Sequence, residues 1–64
     1  MAELPLTWTL IAESGITGLW DSVDDAVMTV AEARALLEDG LILMAQRRLG
    51  PNRMGLVVKA VSRG

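Results

Sequence analysis

Five cations, Arg47, Arg48, Arg53, Lys59 and Arg63, fall between residues 46 and 64 of this 64-residue chain, with no acid among them. Guanidinium groups gathered around a Gly-Pro-Asn turn have the donor geometry to hold phosphate oxygens. The remaining residues carry eight acids and one base, Arg34, so a segment of net −7 precedes one of net +5. Charge asymmetry of this kind accompanies nucleic-acid or acidic partners. The chain as a whole is nevertheless acidic, with a pI near 4.8. Dedicated nucleic-acid domains usually exceed about 9 or carry a dense basic stripe. Only one aromatic side chain, Trp20, is expected to be free to stack on a base. Nucleic-acid binding through Arg48, Arg53 and Lys59 is therefore the second expectation. The first reading of these cations is a solvated hairpin tip whose charge opposes edge-to-edge aggregation.

The acids Asp24, Asp25, Glu32, Glu38 and Asp39 form a second set. On a helix they gather on one stripe, which reads as a solvated face. Catalysis finds little support. General acid–base chemistry relies most often on His, and the chain has no His, Cys or Tyr. Zinc sites of the Cys/His type are excluded with them, as are disulfides. Ser14 and Ser22 have no patterned base. The run Gly50-Pro51-Asn52-Arg53-Met54-Gly55 lacks the Lys-Ser/Thr ending of a phosphate loop. The expectation is a non-enzymatic protein with no cofactor and no metal.

These side chains must be positioned by a short list of elements. Residues 4–12 alternate, with Leu4, Leu6, Trp8 and Leu10 on one side and Thr7 and Thr9 on the other, which argues a strand. Residues 16–20 read as its partner across a Ser14-Gly15 turn, with Leu10 opposite Leu19 and Thr9 opposite Trp20. Apolar residues at Val23, Ala26, Val27, Val30, Ala33 and Leu37 have helical spacing. Ser22 with Asp25 is a capping-box-like start, and Thr29 with Glu32 is a better one further along. The continuous stripe favours one helix over 23–39, ended by Gly40 at C′. Two strands then flank Pro51-Asn52. A four-residue loop over 50–53 pairs Leu49 with Met54, Arg48 with Gly55, Gln46 with Val57, Met44 with Lys59 and Ile42 with Val61. The fold class is α+β: a two-layer ββαββ domain, a four-stranded antiparallel sheet with one helix packed on one face.

In that register each strand of the last hairpin has two faces. Leu41, Leu43, Ala45, Leu56, Val58 and Ala60 floor the helix. Ile42, Met44, Gln46, Arg48, Gly55, Val57, Lys59 and Val61 look away from it. Ile11 and Trp20 join the latter. The helix-free side then shows a contiguous apolar patch of Ile11, Trp20, Ile42, Met44, Val57 and Val61, with Arg48 and Lys59 at its rim. Patches of this kind mark interaction sites. A chain this short draws only about 3–5 kcal/mol from a single core, and without disulfides or metal its natural supplement is association. A homodimer through the exposed sheet face, or a complex with another protein, is the leading expectation. No secretory signal or membrane span is visible, so no membrane contact and a cytoplasmic location are expected. Arg supplies five of the six bases, a composition that suits a bacterial genome.

Overall fold

The computed structural model describes residues 4–61. Arg63, counted above with the basic cluster, lies outside them. Four strands and one helix follow one another as β1 (Thr9–Ser14), β2 (Trp20–Ser22), α1 (Val30–Glu38), β3 (Ile42–Gly50) and β4 (Arg53–Ala60). All strand pairs are antiparallel, and the order across the sheet is β2-β1-β4-β3. Each hairpin thus contributes one central and one edge strand. The 23–41 segment must carry the chain from one edge to the other, and it does so over one face. This is the expected ββαββ, α+β arrangement.

The helix begins later than the apolar stripe implied. Thr29 is its N-cap: the Thr29 hydroxyl accepts from the Glu32 N–H at 3.1 Å, and a Glu32 carboxylate oxygen accepts from the Thr29 N–H at 3.1 Å. That reciprocal box satisfies two donors that a helix start leaves open. Ser22 instead ends β2, and 23–28 turn through Asp25 at φ 59. A two-way box with Glu outcompeted the weaker Ser22 and Asp25 start. The carboxyl end follows the expectation. Gly40 adopts φ 73, its N–H donates to Leu37 O, and the Leu41 N–H donates to Leu36 O. This is a Schellman closure, which requires a left-handed residue at that position.

Two bulges decide which side chains meet the helix. Pro51 holds φ near −65°, which forbids the primed turns whose twist suits a two-residue hairpin. Gly50 pairs with Arg53 across Pro51-Asn52, and Leu49 is left as an extra residue between Arg48 and Gly50. The pairing then runs Arg48 with Met54, Gln46 with Leu56, Met44 with Val58 and Ile42 with Ala60. One added residue reverses the facing of everything before it. The expected pairs Ile42–Val61 and Met44–Lys59 are therefore displaced by one. In β1 a second irregularity lies between Leu10, paired with Val57, and Ala12, paired with Leu56. The first hairpin has a five-residue loop over 15–19 rather than a two-residue turn, so Trp20 pairs with Ser14.

The core beneath the helix is Ile11, Ala12, Met28, Ala33, Ile42, Leu56 and Val58, with Leu4, Trp20, Ala26, Val30, Leu36 and Met44 packed against it. Complete burial of Ile11, Ile42 and Val58 contributes about 1.5–3 kcal/mol each before entropy is set against it. The N-terminal segment is tied to the sheet where the Ala60 N–H donates to Pro5 O at 2.6 Å.

Candidate protein-interaction surface

The six residues expected to form one exposed face do not share one. Ile11 and Ile42 are buried beneath the helix, and Met44 and Trp20 pack against the same core. The bulges at Ile11 and Leu49 and the longer β1–β2 loop are the reason. Val57 does look away from the helix but is only 4% exposed. Val61 is half-buried at the end of the sheet, its N–H donating to Leu41 O.

The helix-free face is built instead from the odd-numbered residues of β3 and β4 and from the start of β1. Cross-strand partners on one face define its rows. One row is Leu10, Val57 and Ala45. A second holds Lys59 beside Leu43, with the Lys59 Nζ 5.2 Å from the centre of the Trp8 ring. A third runs Asp21, Glu13, Gly55, Arg47 across all four strands. A Cβ on Gly55 would fall 2.6 Å from Leu10 Cδ1 and 3.0 Å from Leu49 Cδ1. Glycine at 55 thus lets leucines from β1 and from the β3 bulge converge over the sheet. They help to cover Val57 without any second layer of backbone. Trp8, Leu43 and Leu49 remain 39%, 43% and 36% exposed.

Trp8, Ala45, Gln46, Arg47 and Val57 line a shallow, open groove of about 290 Å³. Its size lies at the floor of the range for small-molecule pockets. It offers one charged side chain, Arg47, and no acid–base pair. Among the described residues, no three or more His, Cys, Asp or Glu side chains come together as a metal site. No buried side-chain polar atom among them lacks a hydrogen bond, so no polar group is held unpaired for a ligand.

Of the described cations of the last hairpin, Arg47, Arg53 and Lys59 stand on the helix-free face and Arg48 does not. Arg53 donates to the Glu13 carboxylate across the sheet. Arg48 pairs with Met54, which places it on the other side of the sheet, and its Nε donates to Gly50 O at 3.3 Å. Lys59 lies over Trp8, a cation–π arrangement. No family model matches the chain, and neither a curated protein nor a solved structure matches it. Among the described residues no helix is long and apolar enough to cross a membrane.

The residues that sequence reasoning passed over are Trp8, Leu10, Leu43, Ala45 and Leu49. Two signals pointed to them. Leu10-Ile11-Ala12 interrupts strict alternation, as a bulge does. Pro51 at the first turn position excludes the turn types that keep simple hairpin register.

Proposed function

We propose that this protein is a non-enzymatic interaction module whose contact surface is the helix-free face of the sheet, and that its partner is a protein chain. The observation that carries this reading is the row Leu10–Val57–Ala45, flanked by the partly exposed Trp8, Leu43 and Leu49. An apolar centre with Trp as its largest side chain and charges at its margins is the usual anatomy of a protein contact. The engagement of these cations within the chain weighs against phosphate recognition as the main role. Arg47, Arg53 and Lys59 share the helix-free face, but Arg53 is paired with Glu13 and Lys59 is already placed over an indole.

The test is site-specific photo-crosslinking in an extract of cells that express the protein. The crosslinker replaces Leu43 on the helix-free face or, as a control, Leu37 on the helix. The expected result is a discrete adduct from position 43, none from position 37, and loss of the adduct on Trp8→Glu. No adduct at 43, or equal adducts at both positions, removes the reading.

A further inference from the structure

The geometry points to a second copy of this chain as the occupant of that face, packed sheet to sheet about a two-fold axis that runs along the strands between β1 and β4; this rests on the face being a contact surface at all. The sheet order is β2-β1-β4-β3. A half-turn about such an axis lays β2 over β3 of the second copy and β1 over its β4. The distance along each strand is unchanged, so every row meets itself reversed.

Each row is complementary to its own reverse. In the row Asp21–Glu13–Gly55–Arg47, the acids sit on β2 and β1 and the base on β3. The half-turn sets Asp21 of each copy against Arg47 of the other. Both side chains are exposed, and among the described residues neither has an ion-pair partner within its own chain. In the next row Leu10 meets Val57 of the second copy, apolar on apolar. At the far end Trp8 meets Lys59 of the second copy, which repeats between chains the cation–π contact found within one. The other two-fold in the plane of the sheets, across the strands, would set each strand over its own counterpart and leave Asp21 of one copy at the opposite edge from Arg47 of the other. Pairing of opposite charges therefore selects the first arrangement. Aligned packing is also one of the two ways in which twisted sheets stack.

Strand spacing near 4.8 Å and rise near 3.3 Å give a face of about 20 by 23 Å, so both copies together bury roughly 900 Å². That lies at the small end of specific interfaces, where association is weak. The dimer is therefore expected in the micromolar range, and its dissociation constant must be read from a concentration series.

The experiment is sedimentation velocity on the whole chain from about 5 to 500 μM, the span on which a weak contact of this area reports. Wild type is compared with Asp21→Arg, Arg47→Asp and an equimolar mixture of the two variants. Wild type is expected to shift from monomer to dimer. Each variant alone sets like charges at both ends of the row and weakens the dimer at least about fivefold. The mixture pairs a copy with two arginines against a copy with two aspartates, so it recovers wild-type affinity or better. Recovery on mixing also shows that both variants are folded. A wild type that stays monomeric to 500 μM overturns the inference. So do single variants that associate as wild type does, or a mixture that fails to recover. A monomeric wild type that still gives a face-specific adduct to another chain overturns the second copy alone; loss of the adduct removes the contact surface as well.

Discussion

The two faces of β3 both carry large apolar side chains, and those side chains have different fates. Beneath the helix, Ile42 is 1% exposed; the next residue along β3, Leu43, is 43% exposed on the opposite side. Both are large aliphatic residues on an edge strand. What separates them is what lies above. Ala33, Val30, Leu36 and Met28 share one core with Ile42, whereas among the described residues the far face is covered by its own side chains, Leu10 and Leu49 among them. Those side chains suffice for the centre, where Val57 is buried, and not for the margins. An apolar face without a second layer can thus shelter one residue and still present its neighbours to a partner.

The largest effect should come from truncation on the covered side. Ile42→Ala removes a wholly buried side chain and is expected to cost about 2–5 kcal/mol, enough to unfold a domain of this size. Leu43→Ala, one residue away, should cost under about 1 kcal/mol in the monomer. Urea unfolding of the two variants side by side checks the facing of β3. Equal losses, or a larger loss at Leu43, would break the contrast between the faces. Val57→Ala tests the middle case. Its burial by side chains alone predicts a loss of about 1–2 kcal/mol, between the other two. A loss as large as that of Ile42→Ala would mean that the second face is as firmly closed as the first.

Much of the architecture was legible because local signals agreed. Alternation, the Thr29–Glu32 box and Gly40 each have a short-range physical cause, and the last two strands and the helix end appear where those causes act, whereas β1 and β2 lie further along than the alternation of 4–12 and the run 16–20 placed them. The start of the helix went to the stronger of two boxes that the sequence displayed. Facing was less legible, because it depends on the parity of a count rather than on composition. A single extra residue at Leu49 sends Ile42 and Met44 inward while leaving every residue type unchanged. Ile11 followed the same logic in β1. The expectation of an apolar helix-free face outlasted the exchange because β3 is apolar on both sides: Ile42 and Met44 took the inner places, and Leu43 and Ala45 the outer ones. Val57 kept its side, since β4 contains no bulge, but the cover that Leu10 and Leu49 provide could be seen only once the strands were assembled.

The helix is the device that makes the faces unequal, so weakening its start should narrow the difference. Thr29→Ala deletes the hydroxyl that accepts from the Glu32 N–H and is expected to cost about 1 kcal/mol. Ser22→Ala, at the start favoured by the apolar stripe alone, should change stability by less than about 0.5 kcal/mol. Thermal unfolding distinguishes them: about 4–8 °C for Thr29→Ala, and little for Ser22→Ala.

The smallest effect should run the other way. The last turn of α1 contains no base, and Glu38 and the C-cap Asp39 put acids at the negative end of the helix dipole. Asp39→Lys replaces a repulsive charge with an attractive one at an exposed position of ordinary helical backbone, φ −78° and ψ −2°. Surface dipole interactions are worth about 0.3–1 kcal/mol at low ionic strength, so the variant should gain roughly 1–8 °C. The gain should shrink as salt screens it. Because the helix covers Ile42 and not Leu43, the added stability should slow amide exchange at Ile42 and leave the response of Leu43→Ala unchanged. A gain that persists in high salt would instead have its origin in packing, and the helix end would then be making a contact with the sheet that its charges do not explain.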